Sequence, residues 1–567
     1  MSINDHFKLP IFYNNKKMQL KENIINDLEM IKTVDMSSNS NYIYDYMFGE
    51  NANCFSKKLL PEISNTYTTD IAFLKDSQKL LKKYKKNEND TIYKYDYDNI
   101  NNIWDEIKND NGFKEKYQYV DWSMWEFLNK SEVFLQFMSL YNIVSPVISF
   151  FVPIIILIIP FFIIQMKGIQ VTMSEYLEIL KVIISQHAIG KLFTDFNSAA
   201  IDQKIYLIVS AAFYTFSIYQ NVLTCIRFHE NMKKIHNYLF LIKEYLNHTT
   251  FNMENLLLYT KNLKTFSDFN VVLERNHHYL NEIKYKLEKV NEYKWNSKKF
   301  SQIGYTLKYF YELYDNEEYN NAFLYSFGFN GYLDCIHGIQ NNIQQKNIGF
   351  ASFTKKIKSN KFINNYYPVL INKNPTKNNV NLNKNIIVTG PNASGKTTIL
   401  KSVTINIILT QQFGCGFYDI AHFCPYKHIH CYLNIPDTSG RDSLFQAEAR
   451  RCKDIIQSIQ NGGTHFCIFD ELYSGTNPEE AIISASAFME YINGFNKVSS
   501  MLTTHFIEVC KNLDKKENVI NYHMETINKN NNLMYTYHLK KGISETKGGM
   551  KILYDMNYPK EILEKHL

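Results

Sequence analysis

The nine cysteines of this 567-residue chain form no regular framework, and their number is odd. That excludes a disulfide-stapled scaffold and makes a reducing, intracellular compartment the expectation. Met1 to about Lys21 lacks a long apolar core, so no secretory signal is expected there. No internal repeat is evident. No Ser-His-Asp or Cys-His arrangement points to nucleophilic hydrolase chemistry. Residues 1–133 are polar and hold no catalytic constellation; Ile71 to Lys86 reads as a helix, and the Asn-rich stretches around Asn39 and Asn99 read as loops. The net charge of +6, with pI near 8.5, is mildly basic and selects neither nucleic acid nor an anionic membrane as a partner. The 41 Tyr and 39 Phe accompany abundant Asn, Lys and Ile, a usage that suits an AT-rich coding sequence, so they are not evidence of a base-stacking surface.

Formal charge is absent from Phe134 to Met166, a run of 33 residues. Its densest part, Ile143 to Ile164, would span about 33 Å as a helix, enough for a hydrocarbon core of about 30 Å. Pro146, Pro153 and Pro160 recur every seven residues, so a kinked or re-entrant course is open. A second charge-free run, Ile205 to Ile226, is weaker, with Ser210, Thr215, Ser217, Gln220 and Asn221 inside it. The two runs suit a membrane hairpin. Arg227, Lys233 and Lys234 after the second run favour the cytoplasmic side, because the loop between the runs is less basic. The alternative is a buried helical hairpin in a large soluble fold.

The chemistry concentrates towards the C-terminus. Gly390-Pro391-Asn392-Ala393-Ser394-Gly395-Lys396-Thr397 fits G-x-x-x-x-G-K-[ST], the phosphate-binding P-loop. Asn385 to Thr389 before it reads as a buried strand, and Thr398 to Gln412 after it as an apolar helix. Glycines let backbone N–H groups face phosphate at the positive end of that helix. Lys396 can then reach the β- and γ-phosphates of ATP, and Thr397 can ligate Mg²⁺. Thr464 to Glu471 reads as a strand ending in acid, with Asp470 for the Mg²⁺ shell and Glu471 as general base toward water. Val498 to Thr503 is a third strand. His505, just past its end, stands where ligands bind in such sheets, suited to sensing the γ-phosphate or orienting water.

In order along the chain, Thr389 to Thr397, Ser443-Leu444-Phe445-Gln446-Ala447-Glu448, Asp470-Glu471-Leu472-Tyr473-Ser474-Gly475-Thr476, Thr504-His505 and the Tyr535 to Ser544 segment resemble the ATPase domain of the MutS family, within the wider ABC-type ATPases. Tyr366-Tyr367-Pro368-Val369 resembles the segment upstream of that family's P-loop. The resemblance covers roughly residues 350–567. It implies ATP and Mg²⁺ as cofactors, a nucleotide cradle from Gly390 through Thr397 and Thr398, and a homodimer in which Ser443 caps, in trans, the nucleotide held by Lys396. Tyr473-Ser474 departs from the family's Gly-Arg, and one extra residue separates Gly440 from Ser443. No helix-turn-helix tail is expected before Leu567. No mismatch-reading module is recognisable; Phe310-Tyr311-Glu312 has the letters of its Phe-x-Glu but lies within an apparent helix.

The sequence holds two further clusters. His422, Cys424, His428, His430 and Cys431 suggest zinc, but their spacing fits no standard site, and the alternation of His428, His430 and Tyr432 favours sheet packing. Lys82, Lys83, Lys85 and Lys86 read as a solvated helix face, with contact to membrane headgroups or DNA phosphate as the alternative.

The expected architecture is a polar, mostly helical region over 1–133, a transmembrane hairpin over 134–227, a helical connector over 228–349 and an α/β P-loop ATPase domain over 350–567. The expected function is a membrane-associated, MutS-related ATP hydrolase with its ATPase facing the cytoplasm. The alternatives are a cytoplasmic or nuclear DNA-binding repair or recombination ATPase with buried apolar helices, and a nucleotide-gated scaffold.

Overall fold

The computed structural model describes residues 3–33, 41–49, 52–85, 96–168, 172–186, 200–290, 301–433, 443–529, 532–546, 556 and 558. The stretch around Asn39, Gly440 and the last residues to Leu567 lie outside them. The chain forms two compact units. One gathers Met1–Tyr97, Phe251–His277 and Ala322–Leu567; the other gathers Asp98–Thr250 and His278–Asn321.

The first unit is built on a six-stranded sheet. Its spatial order is Asn532–Lys541, Val519–Lys529, Asn385–Thr389, Val498–Thr503, His465–Asp470 and His428–Tyr432. The last five are mutually parallel, and only Asn532–Lys541 runs antiparallel. The three strands expected from sequence are present, and they are near-continuous apolar runs because helices cover both faces of such a sheet. Ile386, Ile387, Val388, Phe466, Ile468, Met501 and Leu502 are all fully buried. The register sets Val388 beside Thr503 and Asp470 beside Thr503, so three strand ends meet at one edge. A smaller five-stranded sheet runs Asn378–Asn381, Lys361–Asn365, Ile420–Phe423, Gly349–Phe353, Cys415–Gly416. It includes one strand, Asn378–Asn381, inside a stretch rich in Asn and Lys.

The helix after the P-loop, Lys396–Phe413, is buried almost throughout. Its last turn is polar, with Gln411 and Gln412. Their amides are satisfied by the N-terminal segment: Gln411 Nε2 donates to Thr68 O at 3.2 Å and Gln412 Nε2 to Ile63 O at 2.8 Å, while Tyr44 OH donates to Gln412 Oε1 at 2.9 Å. Gln78 reaches back, donating to Ala351 O and Gly414 O, each at 2.7 Å. The described residues between 3 and 85 thus pack as a layer on the P-loop helix, held by buried amides that would be costly to leave unpaired.

The second unit is helical. Glu132–Met166 is one unbroken helix through Pro146, Pro153 and Pro160, and Ile201–Thr260 is another. They pair through the polar residues of the second run: Tyr214 OH donates to Ser149 O at 2.7 Å, and Asn221 Nδ2 to Ser149 Oγ at 2.5 Å. Away from that seam the apolar side chains are exposed, among them Phe150 at 60%, Phe162 at 58%, Phe213 at 70% and Phe216 at 57%. Helix Ile303–Asp315 packs on the start of the first helix. A Cβ at Gly304 would sit 2.3 Å from Glu132 O, so only glycine permits that approach. Phe310 and Tyr311 are fully buried there, so the Phe of the Phe-x-Glu letters reaches no surface. Asn99 falls inside helix Tyr97–Asn109 rather than in a loop, because Ile100, Ile103, Trp104 and Ile107 recur at helical spacing and are buried.

Glu106 ties this unit together. Its carboxylate accepts from Lys234 Nζ at 2.5 Å, Lys116 Nζ at 2.8 Å and Tyr238 OH at 2.5 Å. Partial burial raises its pKa, but hydrogen bonds from Lys116, Lys234 and Tyr238 outweigh that and pull it down to about 2.

Candidate functional site

The P-loop turns where its residues can afford unusual backbone angles. Gly390 has φ 152°, Ala393 62° and Gly395 95°. Gly395 precedes the helix that begins at Lys396. A Cβ at Gly390 would lie 2.9 Å from Ser394 Oγ, so the loop leaves no room for one. Ser394 Oγ is itself buried and has no partner among the described residues. A hydroxyl in that state, beside the start of a helix, suits an anion.

Lys396 is buried, and burial lowers its pKa against the opposing pull of Glu471 and Asp470. Its Nζ lies 3.2 Å from Pro391 O and 3.2 Å from His505 Nε2. Thr397 Oγ1 donates to Asp470 Oδ2 at 2.7 Å, and Thr503 donates to the other carboxylate oxygen of Asp470. Thr397 and Asp470 thus present hard oxygen donors at one point, a set that suits Mg²⁺. His505 Nε2 stands 2.8 Å from Glu471 Oε1. That hydrogen bond, against partial burial and with help from Lys396, holds the Glu471 carboxyl below the usual carboxylate range. Glu471 has φ 50°, and its N–H donates to Thr503 O at 3.0 Å, so a strained backbone aims this side chain.

Next to these groups lies a cleft of about 680 Å³, reaching from Lys396 and Thr397 to Tyr367, Met524 and Tyr537. This size suits a nucleotide-sized ligand. Tyr537 sits in a bulge: the pairing shifts between Met524–Leu539 and Thr526–Tyr535, and Tyr537 has φ 60°. The ring comes so close that a Cβ at Gly395 would be 3.2 Å from its Cδ1. Tyr537 thus lines the phosphate end of the cleft, and Tyr367 lines the same cleft. The motif letters do not reveal Tyr537, because its position depends on a bulge.

Ser443 caps helix Leu444–Gln460 through a capping box with Gln446, and it is exposed. Glu448, one turn on, is buried and accepts from Ser474 N, Ser474 Oγ and Gly475 N, each at 3.2 Å. It joins the Ser443 helix to the turn after Asp470-Glu471. Tyr473 in that turn has φ 61°, yet its ring packs near Phe445 and Phe488. A left-handed tyrosine is costly by about 1–2 kcal/mol, offset here by burial.

The histidine cluster is packing. His430 Nε2 and His465 Nδ1 are 3.1 Å apart, and the rings of His428 and His465 stack at 4.7 Å. Burial, then the neighbouring His465, lowers His430 to about 3. Burial, then His428, lowers His465 to about 4. Among the described residues no group of three His, Cys, Asp or Glu is arranged to hold a metal. Lys82 lies over the Phe350 ring at 4.3 Å.

A parallel sheet with a P-loop, an acid pair and a polar strand end converging at one edge defines a P-loop nucleotide-binding domain. Residues 386–566 match the family model for MutS domain V. It is 28% identical over 185 residues to the DNA mismatch repair protein MutS of Fusobacterium nucleatum, 32% of this chain and 20% of that protein. It is 31% identical over 189 residues to human MutS protein homolog 4, 31% of this chain and 20% of that protein. The chain thus matches about a fifth of the length of these curated relatives.

Proposed function

We propose that this chain is a MutS-related ATPase that binds and hydrolyses ATP at a composite dimer interface and is anchored in a membrane by its apolar hairpin, with the ATPase on the cytoplasmic side. The observation that carries the first part is the meeting at the sheet edge of two hydrogen-bonded sets, Lys396–His505–Glu471 and Thr397–Asp470. Lys396, with the backbone N–H groups of Gly390 to Thr398, binds the phosphates. Thr397 and Asp470 hold Mg²⁺, which when bound neutralises phosphate charge. Glu471, kept ionised, accepts a proton from the attacking water, and His505 fixes the Glu471 carboxylate. Exposed Ser443 closes the nucleotide site of the other protomer. The turn held by Glu448 links that closing helix to Asp470 and Glu471, and residues 228–349 carry the movement onward.

The membrane part rests on exposure. Both helices are long and apolar enough to cross a bilayer, yet only 17% and 6% of their apolar windows are buried. A core helix of a soluble fold would be mostly buried, so lipid is the covering that fits this surface. A second reading, favoured by the names of the relatives, is a DNA repair or recombination ATPase. Mixing Lys396→Ala chains with Ser443→Ala chains tests the composite site: turnover should reappear in the mixture, because one intact composite site then forms. Pelleting of the full chain with membranes after carbonate treatment tests the anchor. Release by carbonate, with salt-sensitive binding to mispaired duplex, would establish the second reading instead.

A further inference from the structure

Just before the first apolar helix, the segment Asp121 to Lys130 turns its largest side chains outward. Trp122 and Met124 are each 76% exposed, Phe127 61% and Trp125 47%. These are large apolar surfaces to leave in water, and they are neighbours. The segment is also held in shape. Asn129, fully buried, accepts from Val120 N at 2.9 Å and donates to Val120 O at 2.8 Å. Glu126 faces inward, accepting from Tyr311 OH at 2.8 Å and Lys114 Nζ at 2.7 Å. Trp125 N donates to Trp122 O at 2.8 Å. A loop tied at both ends and in the middle presents these side chains by construction.

Its charges are paired within the same unit. Lys114 binds Asp121 at 3.3 Å as well as Glu126, and Lys130 binds Asp315 at 2.7 Å. What faces outward is aromatic and apolar rather than a field of one sign. That surface continues onto the helix through Val133 at 65%, Phe137 at 67% and Tyr141 at 61% exposed, one stripe at spacings of four. The charge-free run from Phe134 to Met166 is about 50 Å long as a helix, against about 40–45 Å for a bilayer with its headgroups. The run is therefore long enough, with some tilt, to cross both headgroup layers, which puts the preceding loop at the water boundary. Tryptophan suits that layer, with an apolar ring and one N–H donor.

We propose that Trp122, Met124, Trp125 and Phe127 form an interfacial anchor that seats in the headgroup layer of the bilayer crossed by the hairpin. This rests on the membrane reading above. The occupant is lipid, and because the loop's charges are already paired, uncharged headgroups suffice.

The test uses the full chain reconstituted in phosphatidylcholine vesicles, with acyl chains plain or brominated near the headgroup. Tryptophan emission of the native chain is compared with that of a Trp122→Phe/Trp125→Phe variant whose fold is checked by circular dichroism. The emission difference between the two chains isolates the loop from the buried Trp104 and from Trp295. That difference should be blue-shifted, lost with brominated lipid and little affected by iodide in the water, at low and high salt alike. Quenching by iodide without quenching by bromine, in a chain that still resists carbonate, would overturn the anchor and leave the membrane reading standing. Shielding from both quenchers that grows with protein concentration would also overturn it, assigning the loop to a second copy. Release of the chain by carbonate would overturn both.

Discussion

His505 Nε2 lies 2.8 Å from Glu471 Oε1, and the same nitrogen lies 3.2 Å from Lys396 Nζ. One nitrogen cannot donate to the carboxylate and accept from the ammonium at once, so the proton on His505 decides which neighbour it holds. The hydrogen bond to Glu471 is what keeps that carboxyl low. His505→Ala should therefore let the Glu471 pKa rise toward the ordinary value of about 4.3. A base must be ionised to act, so the acid limb of the kcat/KM profile should move to higher pH, with kcat at neutral pH down by up to about 100-fold from lost positioning. A pH–rate profile of the two chains checks this.

Thr397 and Asp470 share a 2.7 Å hydrogen bond and are assigned to one ion. Thr397→Ala and Asp470→Asn should each raise the Mg²⁺ concentration needed for half-maximal turnover, by roughly 10–100-fold. Asp470→Asn should be the more severe, because it removes the charge. A Mg²⁺ titration of ATP turnover measures both.

Glu448 bridges the Ser443 helix and the Ser474-Gly475 turn through three contacts at 3.2 Å. Glu448→Ala leaves two backbone donors without their acceptor and should cost about 1–3 kcal/mol. Gly475→Ala should also destabilise, since its Cβ would stand 2.7 Å from Leu444 Cγ. Denaturant unfolding of each variant gives the values. Turnover should fall further than stability alone explains, because Asp470 and Glu471 lead into this turn.

Much of this site is legible in the residues, and the reason is local. P-loop, acid pair and Thr504-His505 each sit at the end of a short apolar strand, and such strands can be recognised one at a time. Glu448 and Tyr537 depend on neighbours far along the chain. Glu448 is defined by a turn 26 residues away, and Tyr537 by a bulge that pushes its ring over Gly395. Tyr473 is visible as a departure from Gly-Arg, but its left-handed backbone and buried ring are not. The layer that the described residues between 3 and 85 form on the P-loop helix is equally hidden. It is fastened by single amides of Gln78, Gln411 and Gln412, which carry no periodic signal. Asn99 reads as a loop by composition, while the burial of Ile100, Ile103, Trp104 and Ile107 makes it helical.

Glu106 sets the acid stability of the helical unit. Its pKa of about 2 is depressed, so its contribution is present above the unfolded value of about 4.3 and is lost as pH falls through about 2. Glu106→Gln should cost roughly 1.5–3 kcal/mol at neutral pH, as charge-assisted bonds to Lys116 and Lys234 go. At pH 2 the native and variant chains should differ little. Denaturant unfolding at pH 7, 4 and 2 follows this window.

The most direct measurement of the central claim is steady-state ATP hydrolysis by the full chain in detergent or vesicles, native against Glu471→Gln, with nucleotide binding measured on both. The account predicts Mg²⁺-dependent hydrolysis by the native chain, and a loss of about 10²–10⁴ in kcat with ATP still bound in the variant. Equal turnover in the two chains, or none in a native chain that binds ATP and Mg²⁺, would contradict it.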